Sequence, residues 1–157
     1  MPAVLLTGMS GVGKSTVLAE LAARGIHTVD TDYGDWIEVI EGERLWREGR
    51  IAALLDGPGE VVLAGTVANQ SAFYDRLAGV VLLTVPVEEA LRRIDARSNN
   101  DWGKGSEDRV AIERDFAEVE PLLRPGATRI LDGRRPVAET ADAIVGLLRS
   151  GGAVAAT

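Results

Sequence analysis

A glycine-rich segment near the start of the chain has the residue types and the spacing that bind phosphate. It reads Gly8-Met9-Ser10-Gly11-Val12-Gly13-Lys14-Ser15-Thr16 and matches the phosphate-binding loop (P-loop) pattern G-x-x-x-x-G-K-[ST] at every fixed position. Glycines let backbone N–H groups turn inward around a phosphate, because no Cβ stands in the way. Lys14 is then placed to reach the β- and γ-phosphates, and the Ser15 hydroxyl to ligate Mg²⁺. We therefore predict that the chain binds a nucleoside triphosphate through Gly8, Gly11, Val12, Gly13, Lys14, Ser15 and Thr16.

Two carboxylates follow the second apolar segment, in the order Asp30-Thr31-Asp32. At the carboxyl end of a strand this spacing puts both side chains on one face, beside the P-loop of an α/β fold. One carboxylate can hold Mg²⁺ through its water shell, while the other accepts a proton from an attacking hydroxyl. The alternative is an ordinary acidic turn after a strand, which has the same pattern. The P-loop upstream is what favours a catalytic role for the pair.

Basic residues flank a polar segment, 98–108, that lacks apolar periodicity. Arg93 and Arg97 lie four residues apart on one face of the helix predicted before it, and Arg114 follows it. Arginines that close over the γ-phosphate stabilise the charge of phosphoryl transfer. We therefore predict a short lid at about 97–112, with Arg97 as a catalytic group and Arg93 at the nucleotide. The alternative is a solvated loop flanked by ordinary arginines on helix faces.

The elements that must position these residues follow from apolar segments of strand length that alternate with helical patterns. The predicted strands are 3–7, 26–30, 61–65, 80–85 and 128–132. The predicted helices are 17–24, 50–55, 70–77, 86–97, 110–123 and 137–149. Segment 33–49 has no clear period, and 151–157 is expected to be a frayed tail. This order predicts an α/β P-loop NTPase fold, a five-stranded parallel sheet with helices on both faces, in a single domain over 1–157.

The composition narrows the classes of function. Of the 157 residues 46% are hydrophobic, which suits one compact core, and the absence of cysteine excludes disulfides and thiolate chemistry. A net charge of −7 without a basic block argues against nucleic-acid binding. The apolar runs are far shorter than a membrane span, and no signal sequence is visible. We expect a cytoplasmic protein, a monomer or weak dimer, that acts on a small molecule without membrane contact.

Absent motifs favour kinase chemistry among the P-loop proteins. No strand ends in the Asp-x-x-Gly or Asn-Lys-x-Asp pattern of GTPases. The strand predicted at 61–65 also lacks the Asp-Glu pair typical of AAA-type ATPases. The acids lie instead at the end of the second strand, where a kinase can use them.

Three segments resemble small-molecule kinases of the shikimate kinase, gluconate kinase and adenylate kinase group, most closely the shikimate kinases. They are 8–16, Val29-Asp30-Thr31-Asp32 and Gly42-Glu43-Arg44-Leu45-Trp46-Arg47. The resemblance implies ATP and Mg²⁺ as cofactors, with Asp30 serving Mg²⁺ and Asp32 acting as the base. It also implies that Arg47 grips a carboxylate of the substrate.

The closing loop 132–137 resembles the loop that lies along the adenine in these kinases, which implies nucleotide contacts for Arg134 and Pro136. The acceptor side departs from the family, because Ala64-Gly65-Thr66 stands where shikimate kinases have a Gly-Gly-Gly run. We therefore carry over the reaction type and leave the acceptor open. Residues beside this edge of the sheet are the candidates for acceptor recognition. They are Asp32, Trp36, Arg47, Gly65, Thr66, Asn69, Gln70 and Arg114.

Three functions remain open. The first is an ATP-dependent phosphotransferase that moves the γ-phosphate to a hydroxyl of a small molecule. The second is a nucleoside or nucleotide kinase whose acceptor base is read by Asn69 and Gln70. The third is an ATP-binding regulatory protein or slow ATPase that works through a partner protein. The first two need a pocket that opens onto Asp32, whereas the third would leave Asp32 in a salt bridge without room for an acceptor.

Overall fold

Strands and helices alternate along the computed structural model, which describes residues 2–96 and 106–155. The strands are β1 (Ala3–Thr7), β2 (His27–Asp30), β3 (Ile37–Ile40), β4 (Glu43–Trp46), β5 (Val61–Ala64), β6 (Gly79–Thr84) and β7 (Arg129–Asp132). The helices are α1 (Lys14–Ala23), α2 (Glu48–Asp56), α3 (Val87–Asp95), α4 (Ser106–Glu118), α5 (Glu120–Leu123) and α6 (Val137–Ala155), with 3₁₀ turns at Gln70–Arg76 and Arg124–Gly126. Arg97 and most of the predicted lid lie outside the described residues.

Five strands form one parallel sheet in the order β2-β5-β1-β6-β7. The central strand β1 is apolar along most of its length and is buried on both faces, as strands between two layers of helices are. Its side chains alternate, so that Val4 and Leu6 pack in the core cluster with α1 and α6. Ala3 and Leu5 pack in the opposite cluster with α2. The predicted fold, a five-stranded parallel sheet with helices on both faces, is confirmed.

Three neighbouring strands deliver the chemistry-bearing residues to one edge of the sheet. The order places β5 between β2 and β1, and all three run parallel. Asp30 ends β2, Thr66 follows β5, and Gly8 follows β1, so the acids, the polar turn and the P-loop share the carboxyl edge. Ligands of open α/β sheets bind at this edge.

A second, two-stranded sheet occupies the segment that has no clear period in the sequence. Strands β3 and β4 pair antiparallel, with Ile40 opposite Glu43. The two residues between them, Glu41 and Gly42, have φ angles of 52° and 81°. Positive φ at both central positions is the geometry of a tight hairpin turn, and glycine at the second position is its usual signal. The hairpin could therefore have been predicted from 37–46.

Other boundaries differ from the prediction for local reasons. The segment Gln70–Arg76 is a 3₁₀ rather than an α-helix, and its last residues close with an i to i+3 hydrogen bond from Leu77 N to Tyr74 O. The helix predicted at 110–123 is divided into α4 and α5, because Pro121 has no N–H to continue the ladder. Helix α4 already begins within the predicted polar loop.

The end of the chain also differs. Helix α6 continues to Ala155, where a frayed tail is predicted, and alanine is the strongest helix former among the last residues. Over the two described ranges, no helix has both the length and the apolar character needed to cross a membrane.

Candidate active site

The P-loop connects β1 to α1 through glycines in conformations that other residues avoid. Gly8, Gly11 and Gly13 have φ angles of 149°, 84° and 107°. A Cβ at Gly11 would come within 2.7 Å of the Ala90 carbonyl oxygen, so the loop packs closely against α3. Helix α1 begins at Lys14, where the first-turn amides of a helix have no partner within the helix. This end of α1 suits an anion.

Two side chains organise the start of the P-loop. The Lys14 ammonium donates hydrogen bonds to the carbonyl oxygens of Gly8 and, at 3.0 Å, Met9. The Thr66 hydroxyl donates to the Gly8 carbonyl at 2.9 Å and lies 2.9 Å from the hydroxyl of Thr7. Thr66, a candidate for acceptor recognition, thus also fixes the P-loop to the end of β5.

A cleft of about 420 Å³ lies between the P-loop and the loop that follows β7. Arg93 spans it, donating to the Val12 carbonyl at 3.2 Å and to the Gly133 carbonyl at 3.0 Å. A carboxylate, Glu89, holds the Nε of Arg93 at 2.8 Å. The lining residues are Gly11, Val12, Gly13, Thr16, Val17, Leu83, Arg93, Gly133, Arg134, Arg135, Val137 and Thr140. We refer to this space as the nucleotide cleft.

The nucleotide cleft contains two of the three nucleotide contacts that were expected outside the P-loop. Arg93 and Arg134 line it, whereas Pro136 does not, although both of its neighbours do. Arg134 is held by Asp132, whose carboxylate accepts hydrogen bonds from the Arg134 backbone N–H at 2.9 Å and from its guanidinium. These hydrogen bonds lower the pKa of Asp132 to about 2. The closing loop therefore carries a fixed charge pair at the mouth of this cleft.

A second cleft, of about 280 Å³, opens on the other side of the P-loop. Lys14 and Asp32 both line it. Asp32 Oδ1 accepts a hydrogen bond from Arg44 Nη2 at 3.1 Å. The lining residues are Gly8, Met9, Ser10, Lys14, Asp32, Arg44, Thr66, Asp115 and Val119. We refer to this space as the acceptor cleft. It brings together the predicted Lys14, Asp32 and Thr66.

Asp30 lies just behind Asp32 and is half-buried. Its carboxylate accepts a hydrogen bond from the Asp32 backbone N–H at 3.1 Å. Burial is the main cause of a raised pKa at Asp30, and the charge of Asp32 adds to it, while the charge of Lys14 opposes it. A cation near Asp30 would relieve the same cost.

A bound Mg²⁺ would need ligands beyond the protein's own. In the part of the chain that the structure describes, no group of three acidic, histidine or cysteine side chains could hold a metal ion. Mg²⁺ is usually held by one or two protein groups together with substrate phosphates and water, which fits Asp30 and the exposed Ser15.

Several residues expected at the acceptor lie elsewhere. The Arg47 guanidinium binds Asp35 at 3.1 Å and Glu38 at 3.3 Å, and Arg47 does not line the acceptor cleft. Trp36 lies under the guanidinium of Arg50, 4.5 Å from the ring centre, and is also outside that cleft. Arg114 is exposed on α4 and lines neither the nucleotide nor the acceptor cleft.

The side chains of Asn69 and Gln70 form hydrogen bonds within the fold and do not line the acceptor cleft. The Asn69 amide pairs with the backbone of Trp46, accepting from its N–H at 2.9 Å and donating to its carbonyl at 3.1 Å. Gln70 is buried, accepting from Val67 N–H at 2.9 Å and donating to the Tyr74 hydroxyl at 2.8 Å. Because these amides are engaged in the fold, they are not available to read an acceptor.

Gly65 lies where β4 packs against the end of β5. A Cβ there would collide with the Thr31 hydroxyl, which donates to the Ala64 carbonyl at 2.7 Å. The same hydroxyl accepts a hydrogen bond from Trp46 Nε1 at 3.0 Å, and Trp46 is a buried core residue. Gly65 thus allows β4 to approach β5, and it does not line the acceptor cleft.

Outside the P-loop, sequence reasoning missed three residues that line the acceptor cleft, Arg44, Asp115 and Val119. Arg44 precedes buried Trp46 by two positions on β4, so both side chains leave the same face of the strand. The hairpin signal at 41–42 could have located Arg44. No local signal marks Asp115, which lies on α4, or Val119, which lies between α4 and α5.

Comparison with known proteins gives the family. A family model described as an AAA domain matches residues 4–114, which include the P-loop, the hairpin and four of the five strands of the parallel sheet, with β1 entering at its second residue. A shikimate kinase of Nitrobacter winogradskyi is 32% identical, over 91% of this chain and 75% of that relative. A shikimate kinase of Chromohalobacter salexigens is 31% identical, over 87% of this chain and 86% of that relative. The chain belongs to the shikimate kinase family.

Solved structures agree with this family on the fold. A shikimate kinase from Acinetobacter baumannii in complex with shikimate has a TM-score of 0.66 at 24% identity, covering 96% of this chain and 94% of that one. A gluconokinase from Sinorhizobium meliloti has a TM-score of 0.60 at 20% identity, covering 98% and 95%. At these identities the structures show the fold alone.

Membership in the shikimate kinase family makes this chain an ATP-dependent kinase, as predicted from its motifs. Its members transfer phosphate to a small molecule, and the acceptor of this chain stays open. Although the chain matches the AAA-domain model, it lacks the Asp-Glu pair of AAA-type ATPases, because Gly65 and Thr66 follow β5. In this member of the shikimate kinase family, the two acidic residues are Asp30, which ends β2, and Asp32, which follows it.

Proposed function

We propose that the protein transfers the γ-phosphate of ATP to a hydroxyl group of a small molecule bound in the acceptor cleft. The observation that carries this proposal is that Lys14 of the P-loop and Asp32 line the same 280 Å³ cleft. A phosphate held by Lys14 and a hydroxyl held by Asp32 would therefore face each other. We propose that residues 1–157 act as one catalytic domain, with a lid at 97–112.

The P-loop and the nucleotide cleft would bind the donor. The amides of the loop and Lys14 hold the phosphates, while Arg93 and Arg134 border the nucleoside. Pro136 would contribute through the loop that it shares with Arg134. Arg97, as the expected lid residue, would approach the transferring phosphate.

Asp32 would act as the base. It accepts the proton of the acceptor hydroxyl as the oxygen attacks the γ-phosphorus, and the bond from that phosphorus to the bridging oxygen breaks to release ADP. Arg44 donates to Asp32 at 3.1 Å and leaves the carboxylate's other oxygen for the acceptor. Arg44 is thus a positioning residue for the base.

Ser15 and Asp30 would hold Mg²⁺ together with the phosphates. The ion would supply positive charge that offsets the charge of the transferring phosphate. The raised pKa of Asp30 supports this assignment, because a desolvated carboxylate gains most from a nearby cation.

The two alternatives have less support. Reading a nucleobase through Asn69 and Gln70 conflicts with the hydrogen bonds that both amides make inside the fold. A regulatory role is suggested by the ion pair of Asp32 with Arg44, but both side chains are about half exposed, at 47% and 56%, beside an open cleft. An acceptor can therefore reach Asp32.

Two variants test the division of roles between donor and acceptor. Lys14→Ala should abolish the thermal stabilisation that ATP gives, because the phosphates lose their cation. Asp32→Asn should keep this stabilisation and lose acceptor-dependent ADP release by roughly 10²–10⁴-fold, the usual contribution of a general base. Equal loss of ATP binding in both variants would contradict the assigned roles. If no hydroxyl acceptor accelerates ADP release above the rate in water, the kinase reaction itself is refuted.

A further inference from the structure

Among the described residues, the lining of the acceptor cleft carries two cations and two carboxylates. Its cations are Lys14 and Arg44, and its carboxylates are Asp32 and Asp115. Lys14 lies on the P-loop carbonyls, next to where phosphate would bind. Arg44 is paired with Asp32 at 3.1 Å. Of the two carboxylates, that of Asp115 is the one without an ion pair to a described residue.

Asp115 is exposed on α4. Among the residues that the structure describes, its carboxylate has no hydrogen bond or ion pair, although its backbone carbonyl accepts from Val119 N–H at 2.8 Å at the end of α4. Val119, one turn further along, adds an apolar surface to the same wall. Among the described residues, Asp115 and Val119 therefore offer a ligand an acceptor of hydrogen bonds and a nonpolar contact.

The residue expected to bind a carboxylate is committed elsewhere. Arg47 holds Asp35 and Glu38, at 3.1 and 3.3 Å, and does not reach the cleft. A carboxylate on the acceptor would therefore meet Asp115 as a like charge, and would have to draw Arg44 away from the base. A protonated amine would instead pair with Asp115 and leave the pair of Arg44 with Asp32 intact.

We propose that the acceptor is an amino-bearing polyhydroxy compound, of the amino sugar, amino polyol or aminocyclitol class, whose ammonium group binds Asp115 while a hydroxyl faces Asp32. This inference rests on the proposed kinase function and names its substrate class. Asp115 is accordingly a specificity-determining residue, and Asp32 remains the base.

The test compares acceptors that differ in one charge. Gluconate, glucitol and 1-amino-1-deoxyglucitol share a six-carbon skeleton and carry a carboxylate, a hydroxyl or an ammonium group at the first carbon. Shikimate, inositol and an aminocyclitol form a second, cyclic set. For each compound, kcat/KM is measured from ADP release, and binding is measured separately by thermal shift with ADP and Mg²⁺ present.

We expect the amine of at least one set to be the best acceptor by kcat/KM and the most stabilising ligand. Asp115→Asn should lower kcat/KM for that amine on the order of tenfold, by raising its KM, and should leave the KM for ATP unchanged. Glu113→Gln is the matched control, because it removes an exposed carboxylate from the same helix outside the acceptor cleft. It should change neither constant.

Each contrary result has a distinct meaning. A carboxylate that is phosphorylated faster or bound more tightly than its amine overturns the inference, as does an equal effect of Asp115→Asn and Glu113→Gln. If the amines bind through Asp115 but no compound is phosphorylated, the kinase proposal fails and the charge assignment stands. If no compound of either set binds or reacts, the acceptor class is overturned, and the kinase proposal is then judged by Lys14→Ala and Asp32→Asn alone.

Discussion

Removing the guanidinium of Arg44 should slow phosphoryl transfer, although the family resemblance points to Arg47 instead. Arg44 Nη2 lies 3.1 Å from Asp32 Oδ1, and the two side chains are 56% and 47% exposed. An ion pair between side chains as exposed as these contributes up to about 1 kcal/mol. At about 1.4 kcal/mol for each factor of ten in rate, Arg44→Met should lower kcat by up to roughly fivefold.

The assay is steady-state ADP release at saturating acceptor and ATP. Arg44→Met should leave the KM for ATP within about twofold, because the P-loop is unchanged. Arg44→Lys should recover part of the loss, since it restores the charge without the planar geometry of the guanidinium. A loss confined to the KM of the acceptor would refute the positioning role, because Arg44 would then act only in binding.

Arg47→Met is the matched control on the same strand-to-helix segment. Its partners Asp35 and Glu38 lie outside the acceptor cleft, so kcat should stay within about twofold. The cost should fall on stability instead, by up to about 1 kcal/mol for partly exposed ion pairs. If Arg47→Met loses the activity and Arg44→Met keeps it, our assignment of the cleft is wrong.

Two further predictions concern the junction behind the cleft. Asp30→Asn should raise the free energy of unfolding at neutral pH, because burial raises the pKa of Asp30 and its ionised form costs stability. This gain should shrink as the pH falls through the raised pKa of Asp30 towards the ordinary aspartate value. Equal urea unfolding curves of variant and wild type at neutral pH would contradict the prediction. Gly65→Ala should lower the free energy of unfolding by about 1–3 kcal/mol in the same assay, because the added Cβ meets the Thr31 hydroxyl. Gly49→Ala in α2 is the control: a Cβ there meets nothing within 4 Å, so this substitution should be neutral or stabilising.

The donor half of the site could be predicted from sequence because its parts are local. The P-loop is contiguous, and its glycines, lysine and helix start are encoded within 8–16. The strands of the sheet are apolar runs whose alternate residues face opposite layers, a pattern that the sequence shows directly. Fold and phosphate binding therefore follow from short segments.

The acceptor half could not be predicted in the same way, because its side chains compete for partners far away in sequence. Asn69 looks like a ligand-binding amide at a strand end, but the edge of β4 leaves the N–H and carbonyl of Trp46 to be satisfied, and Asn69 satisfies both. Arg44 lies on β4 and enters the cleft, whereas Arg47, three residues further along, caps α2 and pairs with Asp35 and Glu38.

The β3–β4 hairpin has one further consequence, which concerns how specificity can change. Its base is held to the sheet through Trp46, by the hydroxyl of Thr31 and the amide of Asn69, whereas Val39 and Ile40 near its tip are exposed. Residues 37–46 thus form a contiguous unit that carries Arg44 into the cleft without contributing to the P-loop. An exchange of this short stretch between relatives would replace one wall of the substrate pocket and leave the nucleotide machinery as it is.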